Sequence, residues 1–374
     1  MQNGPDRINE LDWVRVLVVF AVFLHHVGMP FNGDDWLIMN RESSSLLDDI
    51  MVYFEQFRLP SLFMVAGVGA SLLLAKRSAG RFAIEKAKRL LIPLTIGVLL
   101  IVPPQLYFRN PEEFTSLWSA YPELALELET QHLWFIEYLF VFSLLAIPFH
   151  RLLRSDRGRM AINALSYVLI HPVGLISLGL VLAALRIGLK IYFPSDDLGL
   201  DNLSSSIFYL FFFMAGLLLA QRVELWRTLG DNLATIGGAF AAISIVFYVY
   251  YLFDFSSFAS IETLWSIWWA LASLVAWTGA LTLIGGAQRY LKASPGWLQK
   301  SNMLIYPFYI LHQTVIVVLA FHIVEWSAGI AVKMSVLLLS SFAITAAICA
   351  FLIYPFNVAR FMFGLKPKPA RTAG

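Results

Sequence analysis

The sequence predicts an all-α protein that crosses a membrane about ten times. Three observations predict it. Hydrophobic residues make up 59% of the chain and charged residues only 14%, whereas soluble proteins carry about 25% charge. The mean hydropathy is +0.70, and soluble cores stop growing near ~250–300 residues, so 374 residues of this composition need the bilayer as solvent. The apolar runs are also separated by short segments that alternate between basic and acidic.

A membrane helix needs about 20 predominantly apolar residues. Ten runs qualify, at 11–31, 46–75, 86–108, 133–153, 168–193, 203–221, 233–253, 261–286, 304–326 and 329–361. The first is preceded by Asp12 and Arg15 but followed by no small-x-small cleavage site, so it is expected to be a retained helix rather than a signal peptide. The second and tenth are long enough to tilt or to begin outside the hydrocarbon. One transmembrane domain, 1–374, is expected, ending in a basic tail at about 364–374. The single cysteine, Cys349, excludes an internal disulfide.

Charge then orients the spans. With the N-terminus in the cytoplasm, the cytoplasmic segments hold all but six of the 27 basic residues, as the preference of Lys and Arg for that side requires. The exceptions are Arg41, Arg58, Arg109, Arg186, Lys190 and Lys333. The longest outer segment, 109–132, carries five glutamates, at 112, 113, 123, 127 and 129. Both termini are therefore expected to be cytoplasmic. The formal net charge is only +2, and nothing suggests a nucleic-acid partner.

Ionisable groups inside a span cost roughly 2.5–3.5 kcal/mol on insertion scales and mark candidate functional sites. Eleven residues at ~1.5 Å rise place His26 ~16 Å from Arg15 along the first span. Arg58 falls near mid-membrane, with Glu55 one turn earlier as a candidate partner. Glu137 falls about a turn below the outer surface, and His312 near the middle of the ninth span. His25 and His26 point about 100° apart and cannot both face one site. Each position also has a structural reading. A lone intramembrane histidine can bond a neighbouring helix, Glu137 suits an interface, Lys190 suits a snorkelling role, and the basic run 76–89 suits a topology signal or lipid-binding strip. No Walker loop, GxGxxG turn, HExxH helix or CxxC pair is present, and the histidines lack metal-ligand spacing.

Several of these residues lie in a familiar order. Leu11-Asp12-x-x-Arg15, ten further residues and His26-Val27-Gly28-Met29 resemble the first helix of the acyltransferase-3 family. Phe57-Arg58-Leu59-Pro60 with Val65-Ala66-Gly67 resembles its second. Lys86-Ala87-Lys88-Arg89 before Pro93 is similar to its Arg-x-x-Arg segment, with lysine replacing the first arginine, which keeps charge but loses the bidentate fork. Pro103-Pro104-Gln105, His132-Leu133-Trp134-Phe135 and Tyr306-Pro307-Phe308-Tyr309-Ile310-Leu311-His312-Gln313 resemble the branch of glucan succinyltransferases. The likeness spans about residues 8 to 360.

That resemblance implies a membrane-embedded O-acyltransferase moving an acyl group from a cytoplasmic donor, acyl-CoA, to a hydroxyl of a glycan or other acceptor at the outer face. It implies no permanently bound cofactor; acyl-CoA is a co-substrate, membrane lipid and a glycan are the other partners, and the bacterial inner membrane is the setting. His26 is expected as general base or transient acyl carrier, with Arg58 or His312 as oxyanion donor and Glu137 as a group orienting His26. Arg15, Lys86 and Arg89 are expected to hold the donor phosphates. Asp12, Gln105, His132 and Gln313 are further pocket candidates, Trp118 and Tyr121 are expected to meet a sugar, and no metal is expected. The competing class is a transporter or flippase, since intramembrane charges also mark transport routes, although no inverted repeat pairs the two halves. In a Cys349→Ala background, Arg157→Cys should be labelled by an impermeant thiol reagent only from the cytoplasm and Glu123→Cys only from outside; labelling of both from one side would contradict the ten-span topology.

Overall fold

The computed structural model describes residues 8–368; Arg7, Arg371 and the end of the basic tail lie outside the described residues. Every described element is helical: α1 Asn9–Asn32, α2 Ser45–Lys76, α3 Ala79–Ile96, α4 Pro103–Arg109, α5 Leu117–Leu126, α6 Trp134–Arg154, α7 Asp156–Leu169, α8 Pro172–Lys190, α9 Leu203–Leu219, α10 Val223–Asp231, α11 Leu233–Leu252, α12 Ile261–Tyr290, α13 Gly296–Ile323, α14 Ile330–Ala347 and α15 Asn357–Met362. Nine helical stretches among the described residues are long and apolar enough to cross a membrane. A tenth would join α9 to α10, which meet at 109°. The protein is thus a multi-pass membrane protein.

The helix starts follow from capping chemistry. Asn202 accepts from the Ser204 and Ser205 N–H groups at the start of α9, and Ser260 from Thr263 N–H at the start of α12. Ser116 and Ser119 form a reciprocal box on α5. Each satisfies N–H groups that the first helical turn leaves unbonded. Pro93 near the end of α3 precedes a π-helical segment, Gly97–Ile101. A second such segment, Ile348–Ile353, ends α14. Widened turns of this kind are rare and recur at functional sites.

The chain divides into two compact units. Unit 1 comprises Met1–Val18, Phe54–Ala83 and Val141–Pro295. In it α12 packs against α8, α10 and α11, and Trp277 of α12, fully buried, donates to the Leu175 carbonyl of α8 at 2.9 Å. Here α2 meets α9 through two glycines. A Cβ on Gly67 would lie 1.9 Å from the Phe213 carbonyl oxygen, and one on Gly216 would lie 1.9 Å from that of Met64. Close approach through small residues is how apolar helices gain packing when lipid offers no hydrophobic drive.

Unit 2 comprises Val19–Tyr53, Ile84–Phe140 and Gly296–Gly374. Its core is the pairing of α13 with α14 and with α4. Phe23 of α1 packs edge-on against Phe308 of α13, and both rings meet Phe342 of α14. The loop after α1 is tied back on itself: Asn40 N–H donates to the Pro30 carbonyl and Ser44 N–H to that of Phe31. Lys333 of α14 donates to Asn40 Oδ1 at 2.8 Å and to the Val324 carbonyl at 2.7 Å.

Three expectations are corrected. The segment after 154 is a helix, α7, which buries Gly158, Ile162, Ser166 and Leu169 on one face and packs on α8. The basic run 76–89 is mostly helical: Lys76 ends α2, and Arg81 to Arg89 lie in α3, which starts at Ala79 rather than near 86. Lys190 does not snorkel: it is 8% exposed, and Nζ donates to the carbonyls of Pro194 and Ser195 and to Asp196 Oδ1 at 2.7 Å. Gly67→Ala should force α2 and α9 apart and destabilise the protein by about 1–3 kcal/mol, measured as a fall in midpoint temperature in detergent; an unchanged midpoint would contradict the close crossing.

Candidate active site

Unit 2 gathers three histidines that lie far apart in the sequence. His26 rises on α1, His132 sits in a 3-10 turn, Gln131–Leu133, just before α6, and His312 lies in α13. His26 Nδ1 is 2.8 Å from His312 Nε2. His312 Nδ1 is 2.6 Å from the Tyr309 carbonyl oxygen one turn earlier on its own helix. His132 Nε2 is 3.1 Å from the Ile310 carbonyl oxygen, and the Tyr309 hydroxyl donates to the His132 carbonyl. The His132 ring centroid is 5.3 Å from that of His312 and 6.4 Å from that of His26.

The carbonyl contacts assign the protons. A backbone carbonyl can only accept, so His312 Nδ1 carries a hydrogen. Neutral His312 then has its lone pair on Nε2, and the short contact to His26 requires His26 Nδ1 to donate. Neutral His26 is left with a lone pair on Nε2. By the same reasoning His132 donates from Nε2 and keeps a lone pair on Nδ1, which is buried without a hydrogen-bond partner. A carbonyl that fixes the tautomer of one imidazole fixes that of the next, the logic by which a buried acceptor orients the histidine of a hydrolase triad.

Burial grades the three rings. His312 is fully buried and His132 is 5% exposed, whereas His26 is half-buried. Trp36, from the loop tied down by Asn40 and Lys333, stacks on the His26 ring at 6.4 Å and 12°. Below the histidines, Gln313 Nε2 donates to Gln105 Oε1 at 3.0 Å, Gln105 Nε2 to Thr314 Oγ1 at 2.6 Å, and Thr314 Oγ1 to the Ile101 carbonyl at 2.7 Å. This chain of donors locks α13 to the π-helical segment and α4, and gives the freed Ile101 carbonyl a partner.

Of the residues expected from the sequence, His26, His132, His312, Gln105 and Gln313 are brought together in unit 2. Glu137 also lies in unit 2, but among the described residues it makes no hydrogen bond to His26, whose ring is oriented by His312. His312 has both nitrogens engaged and has no donor left for an oxyanion. Arg58 belongs to unit 1, where it is 8% exposed and its Nε and Nη1 have no hydrogen-bond partner, with Glu55 and Tyr209 acting on it electrostatically. Arg15 belongs to unit 1 and pairs with buried Asp12 at 3.2 Å, while Lys86 and Arg89 belong to unit 2. Among the described residues no group of His, Cys, Asp or Glu could hold a metal ion.

Unit 1 holds a further feature that the sequence did not announce. A cavity of about 1370 Å³ is lined by Lys76, Arg154, Arg227, Arg289 and Lys292, with Trp226 and His150. Among the described residues, Glu10 and Asp231 are the only acids of its lining. These cations come from α2, α6, α10, α12 and the turn after α12, so no local motif reveals them. Arg15, Lys86 and Arg89 do not line it.

The sequence profile described as an acyltransferase domain matches residues 8–354. The chain belongs to the acyltransferase-3 family. It is 24% identical over 219 residues to glucans biosynthesis protein C of Escherichia coli strain K12, covering 56% of this chain and 57% of that protein. To glucans biosynthesis protein C of Escherichia coli O81 it is 24% identical over 247 residues, covering 63% and 64%. The chain thus spans less than two thirds of the length of the curated relatives it matches. No solved structure matches it. As an acyltransferase it should turn over an acyl donor, and His312→Phe, which cannot accept from His26 Nδ1–H, should lower that turnover 10- to 100-fold. His312→Gln, which can accept, should retain more activity; equal turnover in the two variants would show that the acceptor is not needed.

Proposed function

We propose that this membrane acyltransferase transfers the acyl group of acyl-CoA to a hydroxyl of a glycan or other acceptor, with His26 Nε2 as general base. The observation that supports the base is the hydrogen-bond chain from the Tyr309 carbonyl through His312 to His26, which places the lone pair of neutral His26 on Nε2, on the least buried of the three histidines. The acceptor hydroxyl gives its proton to that nitrogen as its oxygen attacks the thioester carbonyl. The new C–O bond forms, the C–S bond breaks, and the proton passes to the departing thiolate. While His26 holds the proton, its Nδ1–H faces the Nε2 lone pair of His312, which stabilises the imidazolium.

The basic cavity in unit 1 supports CoA as the donor's carrier. Five cations against two acids suit a ligand with several phosphate charges, and Trp226 offers an apolar face to a base. The excess of Lys and Arg in these segments supports a cytoplasmic position for this end, where acyl-CoA is made, and with it the bacterial inner membrane with both termini inside. The named relatives act in glucan biosynthesis, and a glycan acceptor follows that lead. Trp118 and Tyr121, stacked at 6.4 Å on α5 with Trp118 80% exposed, give a sugar a flat aromatic surface.

The test is turnover of radiolabelled acetyl-CoA in detergent or liposomes, following free CoA and acylated acceptor together. His26→Ala should lose about 100-fold or more, the usual scale for a positioned base, while CoA binding stays near wild type. His25→Ala should keep most activity. The wild-type rate should fall as pH is lowered, because a protonated imidazole cannot accept the hydroxyl proton. Full activity in His26→Ala, or a rate that rises on acidification, would overturn the assignment.

A further inference from the structure

His150 of α6 is 6% exposed, and neither of its ring nitrogens has a hydrogen-bond partner. An imidazole always carries at least one N–H, so its burial here leaves a donor unsatisfied, and natural proteins seldom leave such a group without a ligand or partner. His150 lines both the large cavity and a second cavity of about 370 Å³. Arg154, one turn further along the same helix face, also lines both. The second cavity adds Arg77 of the turn after α2, Arg151 of α6 and Ser155, whose hydroxyl caps α7. No acid lines it.

Three guanidiniums and an unsatisfied imidazole make a receptor for one compact, doubly charged anion. Guanidinium forks match phosphate oxygens bidentately. The two cavities meeting at His150 and Arg154 differ in kind: the larger suits an extended, partly apolar ligand, the smaller a single charged group. CoA has that division, with a diphosphate within its chain and a phosphate monoester on the ribose.

We propose that the small cavity is the subsite for the ribose phosphate monoester of the donor, read by His150 together with Arg77, Arg151 and Arg154. The proposal rests on the reading of acyl-CoA as donor. It makes the enzyme selective for 3′-phosphorylated thioesters over thioesters that lack the monoester, and it makes His150 a specificity residue rather than part of the acyl-transfer chemistry. The monoester anchors the donor's far end, so its loss should appear in binding and in KM more than in kcat.

The test is calorimetric titration of the purified full-length protein in detergent with CoA and with 3′-dephospho-CoA, for wild type, His150→Gln and Arg151→Gln. Arg151 is exposed, so its substitution should fold even if that of His150 does not. Wild type should bind CoA at least tenfold tighter than 3′-dephospho-CoA. Both variants should lose most of that preference by weakening CoA binding, with affinity for 3′-dephospho-CoA unchanged. Equal binding of the two ligands by wild type would overturn the subsite while leaving CoA as donor. Binding of neither would overturn the donor reading and the subsite with it. Equal binding together with co-purified phosphatidylglycerol that the variants lose would assign the small cavity to a lipid headgroup, and so also overturn the proposal.

Discussion

The hydrogen bond from His26 to His312 sets what the rest of unit 2 must do. Two imidazoles 2.8 Å apart can share only one hydrogen between them, so their tautomers are coupled, and the coupling has a direction only because the Tyr309 carbonyl fixes the far end. Remove that carbonyl contact and the lone pair on His26 is equally free to face inward, where it can reach no substrate. The fold is arranged to hold this order. Burial of His312 among Phe23, Phe308 and Tyr309 excludes competing water, and the ladder Gln313–Gln105–Thr314–Ile101 fixes the rotation of α13 against its neighbours.

A histidine whose orienting partner is another histidine differs from one backed by a carboxylate. The carboxylate stabilises the imidazolium by full charge, whereas a neutral imidazole does so by its lone pair alone. In the low dielectric of a membrane interior a buried unpaired carboxylate is costly, and a neutral acceptor avoids that cost while keeping direction. Glu137, the acid expected from sequence to fill this role, has no hydrogen bond to His26, and the arrangement does not need one. His132 adds a third lone pair, on Nδ1, within the same cluster.

Much of this was legible in the sequence. The all-α membrane class and nine of the ten spans follow from apolar run length and charge alternation; the 100° step per residue says only that His25 and His26 cannot share a site, and the preference for His26 comes from the family motif. The family likeness follows from motif order, and the profile match over 8–354 covers nearly the same stretch as the motifs. Other features were not legible, each for a physical reason. The His26–His312 pairing joins residues 286 apart, and no local period encodes it, although the Tyr309-x-x-His312 spacing carries the carbonyl contact within one helical turn. The sharp bend after Leu219 follows a helix of 17 residues, short enough to pass for a complete span. The cavity cations read as a topology signal because Lys76, Arg154, Arg227, Arg289 and Lys292 come from α2, α6, α10, the end of α12 and the turn after it, far apart in the sequence, and only the packing of unit 1 gives them one lining. Lys190 escaped because its carbonyl partners lie in an irregular segment with no signature.

The pairing of His26 with His312 is tested most directly by a double-mutant cycle on turnover. His26→Ala, His312→Ala and the double variant are compared with wild type at saturating acetyl-CoA, with thermal midpoints to show that each folds. If His312 acts only by orienting and stabilising His26, its loss has nothing further to remove once His26 is gone, and the double variant should be no slower than His26→Ala, as for residues that work as a unit. Losses that multiply, so that the double variant falls below His26→Ala by the full factor of His312→Ala, would contradict the hydrogen-bond chain as the source of the base.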